Sequence, residues 1–374
     1  MNIFPGKTIF RRFRKVETRL HHLTYLFWEC TSRCNLNCLH CGSDCSAEGS
    51  YKDMPLTDFL SALDTIKPKS DNLIVVVTGG EPLLRKDLEL CGREIRKRGI
   101  RWGMVTNGYL YDRQKHIDLL NAGIGALTIS LDGLEESHNW LRNKKDSFSR
   151  VEEAIALAAS SSRLNFDVVT CVNKRNFEEL PLIFDYLIGK GVKAWRLFTI
   201  VPIGRAKNNQ DLFLSDLQFK ELMDFISSKS PLKTIDIKFS CEGYVGQYEL
   251  KVRESYFFCR AGINIGSILI DGSISACPNI DRTLSQGNIY KDSFYEVWQT
   301  KFQPFRNRIW TRTGRCEKCT EYKDCQGNGL HNWHGDKENA LVCHYEKVKK
   351  QYLLSFPGTD RKVLQVKEKV RKQD

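Results

Sequence analysis

Residues 30–45 read CTSRCNLNCLHCGSDC and put five cysteines into sixteen positions. Within this stretch Cys34, Cys38 and Cys41 follow the spacing C-x3-C-x2-C. Thiolates this close on one loop can converge on a single inorganic centre, and iron–sulfur clusters favour such ligands. Three ligands leave one position of a four-iron cluster open. A structural zinc site would instead be closed by a fourth ligand, which Cys30, Cys45 or His40 would supply.

Further along, TGGEP occupies residues 78–82. Gly79 and Gly80 let a backbone approach a ligand closely, Glu81 can accept hydrogen bonds from an ammonium group, and Pro82 ends the turn. In TISLDG, Ser130 and Asp132 are two residues apart, which on a strand sends both side chains to one face. Asn107 in VTNG, Thr170 and Asn173 in VTCVNK, and Arg142 fall at later strand ends or loops.

Taken together, the three cysteines and the GGEP turn resemble the radical S-adenosylmethionine (SAM) enzymes. The resemblance implies that Cys34, Cys38 and Cys41 hold a [4Fe-4S] cluster whose open iron is bound by the amino and carboxylate groups of SAM. It implies that Gly79, Gly80, Glu81 and Pro82 hold the methionyl end, and that Ser130 and Asp132 reach the ribose. Asn107, Arg142, Thr170 and Asn173 are further candidate SAM contacts. The family usually carries an aromatic residue before the last cysteine, and His40 stands there instead.

A second set of cysteines follows. Cys259, Gly272 and Cys277, then Cys316, Cys319 and Cys325, then Cys343, resemble the SPASM extension of radical SAM proteins that modify peptides and proteins. That pattern has seven cysteines and binds two auxiliary iron–sulfur clusters. Six are present here, and the seventh position holds Gly329. The resemblance implies one auxiliary cluster on Cys316, Cys319, Cys325 and Cys343. The other keeps Cys259 and Cys277 and is either absent, a [2Fe-2S] or open-site cluster, or completed by a substitute such as Cys241 or His331, of which Cys241 is preferred. Spacing alone also permits a four-thiolate zinc site on the later cysteines.

Elements that would carry these residues are legible between Leu23 and Pro202. The apolar runs LTYLFWE, NLIVVVTGG, WGMVTNG, ALTISLDG, FDVVTCVN and WRLFTIVP alternate with amphipathic segments at 57–67, 86–98, 111–122, 148–159 and 177–189. Six strands separated by helices imply parallel neighbours, and in such sheets function gathers at the C-terminal strand ends. The expected fold is α/β, a partial (β/α)6 TIM-like barrel followed by a small cysteine-rich, iron–sulfur-binding domain. The expected divisions are a basic segment at 1–22, the barrel at 23–232, the auxiliary-cluster domain at 233–346 and a basic tail at 347–374.

Composition limits the rest. Apolar content of 41% and charged content of 27% are those of a globular protein. No signal peptide is legible and no apolar run nears the eighteen or so residues of a membrane span, so a cytoplasmic location is expected. There thiols stay reduced and clustered cysteines bind metal. The net charge of +12 is diffuse and reads as a solvated surface, so nucleic acid is not an expected partner.

The resemblance implies reductive cleavage of SAM to a 5′-deoxyadenosyl radical that abstracts hydrogen from a peptide or protein side chain, with auxiliary clusters moving electrons. A low-potential donor of the flavodoxin or ferredoxin type would feed the cluster, and a separate protein or the barrel surface would bind any leader peptide. Pro278 stands directly after the cysteine of G-x4-C, where sulfatase-maturing members carry an acidic residue, and this argues against that branch. An alternative is a radical SAM enzyme of small-molecule or tetrapyrrole cofactor biosynthesis. An alternative of another class is a non-catalytic iron–sulfur scaffold or electron carrier.

Overall fold

The computed structural model of the chain describes residues 6–66, 72–335 and 338–355. Of the basic tail expected over 347–374, the part beyond residue 355 lies outside the described residues. Helix α1 (Lys7–Leu20) leads into six strand and helix repeats. The strands are β1 (Tyr25–Thr31), β2 (Ile74–Gly79), β3 (Arg101–Thr106), β4 (Ala126–Ser130), β5 (Asn165–Val172) and β6 (Ala194–Thr199). Between them run α2 (Leu56–Ile66), α3 (Leu88–Lys97), α4 (Arg113–Asn121), α5 (Glu135–Arg142), α6 (Ser147–Ala159) and α7 (Leu180–Gly189), and α8 (Asp216–Lys229) follows β6. The six apolar runs of the sequence are these six strands.

All neighbouring pairs from β1 to β6 are parallel, as helical crossovers require. Side chains alternate between two environments. Val75 and Val77 of β2, Leu127 and Ile129 of β4, and Trp195 and Leu197 of β6 are fully buried in the main apolar core. On the other face, Thr78 of β2, Val105 of β3 and Ser130 of β4 line a cavity at the C-terminal edge of the sheet. Below them Arg196 pairs with Asp167, which also accepts from Thr128 Oγ1 at 2.6 Å, forming a polar layer beneath the cavity.

The sheet does not stop at residue 232. Strand β7 (Asp236–Phe239) adds in parallel to β6, and β8 (Ile265–Ile268) adds in parallel to β1. A hairpin then joins β8 to β9 (Ser273–Ser275), which pairs with β10 (Gly287–Asn288). The order is β10-β9-β8-β1-β2-β3-β4-β5-β6-β7, so chain from both sides of residue 232 shares one sheet. The remaining helices are α9 (Phe294–Thr300), α10 (Gln303–Arg306), α11 (Tyr322–Cys325) and α12 (His344–Ser355).

The basic N-terminal segment is an amphipathic helix docked on the cysteine-rich region. Arg11 makes a two-point ion pair with Asp324 (2.6 and 2.9 Å), and Lys7 Nζ reaches Glu321 at 3.2 Å. Arg14, buried despite its charge, donates to the carbonyls of Lys323 and Asp324. Among the described residues, no helix is long and apolar enough to cross a membrane.

Candidate active site and cluster-binding loops

At the C-terminal edge of β1–β4 the cavity encloses about 520 Å³, within the range of small-ligand sites. Cys34, Cys38 and Cys41 all line it, on the loop that leaves β1. That loop is pinned by backbone bonds from Cys34 to Ser46 (2.7 Å) and from Leu39 to Leu141 (2.8 Å). Two polar side chains reach its sulfurs: Asn107 Nδ2 lies 3.9 Å from Cys34 Sγ, and Arg142 Nη1 lies 3.7 Å from Cys38 Sγ. Burial pushes the Cys34 thiol up to about 11 and raises that of Cys38. Cys41 is held down at about 5 by a hydrogen bond from the Cys45 thiol, with burial opposing. Cys45, which the sequence left without a role, lines the same cavity.

The glycines explain the close approach of β2 to the cysteine loop. A Cβ on Gly79 would sit 2.2 Å from the carbonyl of Thr31, and one on Gly80 would sit 2.1 Å from the carbonyl of Arg33. Gly79 also has φ of 138°, a conformation that L side chains rarely adopt. Both glycines line the cavity. Glu81 does not. Its carboxylate is buried, accepting from Thr106 Oγ1 (2.8 Å), Leu83 N (3.1 Å) and Asn107 N (2.8 Å). Burial raises its pKa although these three donors oppose it. Glu81 thus locks the ends of β2 and β3 together, and Pro82 opens the short turn behind it.

The remaining candidates separate into two groups. Asn107 and Ser130 line the cavity, and so does Arg142, the last residue of α5 rather than a loop residue. Asp132 lies past the end of β4, fully buried, where it pairs with Arg142 at 2.5 Å and accepts from Cys171 N at 2.7 Å. Burial works against both charges, yet their mutual attraction lowers the pKa of Asp132 and raises that of Arg142. Thr170 faces the helix layer, donating to the Leu131 carbonyl (2.6 Å) and accepting from the Trp195 indole (2.8 Å). Asn173 accepts from Arg175 N and Asn176 N in a buried turn. Neither Thr170 nor Asn173 lines the cavity.

One wall of the cavity was not legible in the sequence. Asn279, Asp281, Arg282 and His334 come from the cysteine-rich region and close over the barrel mouth. Arg282 donates to Glu29 of β1 at 2.8 Å, and Glu29 also accepts from Ile270 N at 3.2 Å. The carboxylate Glu29 at the end of the apolar run LTYLFWE was the available signal.

The later cysteines gather in two places. Cys316, Cys319, Cys325 and Cys343 interact electrostatically with one another around α11 and the start of α12. Cys259 and Cys277 interact in the same way, with Cys241 beside both. The donor sets fit iron–sulfur clusters, since each place offers several thiols together with hydrogen bonds to sulfur, such as Asn328 N to Cys325 Sγ at 3.1 Å.

The model of the radical SAM superfamily matches residues 28–187, and that of an iron–sulfur cluster-binding domain, SPASM, matches residues 259–320. The AdoMet-dependent heme synthase of Oleidesulfovibrio alaskensis is 25% identical over 90% of this chain and 89% of its own. The Fe-coproporphyrin III synthase of Methanosarcina barkeri is 27% identical over 80% of this chain and 82% of its own. Among solved structures, Streptococcus suis SuiB bound to S-adenosylmethionine shares the fold with a TM-score of 0.67 at 16% identity, covering 91% of this chain and 83% of that one.

Proposed function

We propose that this chain, a radical SAM enzyme with a SPASM extension that uses a [4Fe-4S] cluster, SAM and auxiliary iron–sulfur clusters, acts on an iron-bearing tetrapyrrole in heme-type cofactor synthesis. The observation that carries this is the likeness to a heme synthase and an Fe-coproporphyrin III synthase along four fifths or more of both chains. That extent takes in the barrel and the cysteine-rich region alike. The peptide or protein substrate expected from the SPASM motif thereby yields to the tetrapyrrole alternative, because the likeness to SuiB is one of fold.

When bound, the cluster and SAM together supply a carbon-centred radical able to abstract hydrogen from an unactivated position. The chain's own residues hold and shield it. Cys34, Cys38 and Cys41 present three thiolates to the cluster, and Asn107 and Arg142 donate toward two of the sulfurs, which tunes the potential. Gly79 and Gly80 bring bare backbone to the cavity wall for the methionyl group, and Ser130 offers a hydroxyl to the ribose. Glu81 and Asp132 act as positioning residues, the first through Thr106 and Asn107, the second through Arg142. The wall of 279–282 and His334 excludes water from the barrel mouth.

Anaerobic incubation of the reconstituted protein with SAM, dithionite and iron coproporphyrin III tests the reading. A mass change in the tetrapyrrole, in step with 5′-deoxyadenosine release, is the expected result. An unchanged tetrapyrrole under conditions in which a cysteine- or tyrosine-bearing peptide is modified would restore the peptide reading.

A further inference from the structure

We infer that Asn328 is a positioning residue for the auxiliary cluster of Cys316, Cys319, Cys325 and Cys343, holding the Cys325 sulfur with its backbone and the chain around Cys343 with its side chain. The inference rests on the SPASM assignment and not on the identity of the substrate. After α11 the backbone is left-handed at three successive residues, Gln326 (φ 52°), Gly327 (φ 78°) and Asn328 (φ 71°). Such a run is unfavourable for L residues, and asparagine is among the few that tolerate it. It brings the N–H of Asn328 back to the end of the helix, where it donates to Cys325 Sγ at 3.1 Å. Two contacts brace the turn. The Trp333 indole donates to the Gly327 carbonyl at 2.6 Å, and a Cβ on Gly327 would sit 2.2 Å from Thr311 Oγ1.

The side chain of Asn328 is buried and reaches two other segments. Its Oδ1 accepts from Tyr244 N at 3.1 Å, while its Nδ2 donates to the Val342 carbonyl at 2.8 Å and to His344 Nδ1 at 3.1 Å. Backbone partners on both sides fix the orientation of the carboxamide, since only its oxygen can face an N–H and only its nitrogen a carbonyl. Cys343 lies between the two residues that Nδ2 holds. With Nδ1 of His344 accepting, Nε2 carries the ring proton, and it lies 3.3 Å from Thr199 Oγ1 at the end of β6. The Thr199 hydroxyl donates in turn to Glu242 at 3.0 Å. One residue thus ties Cys325, the chain around Cys343 and the edge of the barrel into a single arrangement. Gly243 leaves room for it, because a Cβ there would sit 1.9 Å from Asn328 Oδ1 and 2.4 Å from His344 Nδ1.

The full chain, reconstituted anaerobically, provides the test, with the electron paramagnetic resonance change of the barrel cluster on adding SAM as the sign of a folded protein. Glycine accepts the left-handed backbone, so Asn328→Gly keeps the N–H to sulfur and loses only the carboxamide. It should release iron from this auxiliary cluster to a chelator about 10- to 100-fold faster than the parent, at an unchanged midpoint potential. Asn328→Ala also strains the turn and weakens the N–H to sulfur bond. That bond favours the more negative, reduced cluster, so the alanine variant should have a lower midpoint than the parent and the glycine variant. Asn328→Asp keeps the shape without the donors and should release iron as the glycine variant does. Gly243→Ala reaches the same contacts from the opposite segment and should also speed release. Iron retention at the parent's level in Asn328→Gly or Gly243→Ala, equal midpoints in the glycine and alanine variants, or loss of the barrel signal together with the auxiliary cluster would overturn the assignment. A parent whose barrel cluster fills while these four cysteines stay empty would overturn it too, and would leave the tetrapyrrole reading untouched.

Discussion

Arg142 joins most of what the site needs. Its guanidinium touches the Cys38 sulfur and pairs with Asp132, whose other oxygen holds the backbone of β5. All of this is buried, so removing one charge strands the other in a low-dielectric setting. Arg142→Leu should destabilise the apoprotein by roughly 3–5 kcal/mol in denaturant titrations, whereas Arg142→Lys should recover part of the loss. Equal stability in all three proteins would mean that the pair is incidental. The same residue shows the limit of reading a site from spacing. Sequence placed Arg142 among groups near a strand end. That it closes a helix and bridges a sulfur to an aspartate depends on contacts across 104 residues, which no local pattern encodes.

Strands and crossover helices were the most legible elements, because period-two and period-3.6 apolar patterns survive in any context. Helix α5 was not among them. It is only eight residues long, and its inward face is Ser137, His138, Leu141 and Arg142, with one aliphatic residue among three polar ones. His138 is the centre of that face. It accepts from Asp132 N at 3.0 Å and lies 3.0 Å from Ser147 Oγ, and burial lowers its pKa to about 3. An unfolded imidazole takes a proton near pH 6.5, and the folded one resists until about 3, so its contribution is intact above that range and lost as pH falls through it. His138→Asn should flatten the fall in apoprotein stability between pH 6 and 4 by about 1.4 kcal/mol per pH unit. Unfolding midpoints across that window provide the measurement, and identical slopes would contradict it. The pairings of β7 with β6 and β8 with β1 were also hidden. Register between segments more than 200 residues apart, as in β1 and β8, is set by packing and leaves no trace in either segment.

At the scale of the whole molecule, three separate stretches of chain enclose one cavity and two cysteine clusters. Helix α1 straps the region of Cys325 through Arg11 and Arg14, and Arg282 straps the cavity wall to β1. Arg14→Ala leaves the carbonyls of Lys323 and Asp324 unmet, at a cost of roughly 1–3 kcal/mol. It should speed iron loss to a chelator from the cluster of Cys316, Cys319, Cys325 and Cys343 while the barrel cluster's spectrum stays unchanged. Loss from both at the same rate would contradict the strap. The cysteines and the GGEP turn made the chemistry legible, whereas the proposed tetrapyrrole substrate rests on likeness to heme-type relatives along 80% to 90% of the chain. All of these roles depend on one centre. The most direct measurement is 5′-deoxyadenosine release from SAM under dithionite, by the parent and by a variant with Cys34, Cys38 and Cys41 changed to alanine. Release by the parent alone, with the auxiliary clusters intact in both, is the expected result. Release by both, or by neither when all clusters of the parent are filled, would contradict the assignment of the barrel cysteines.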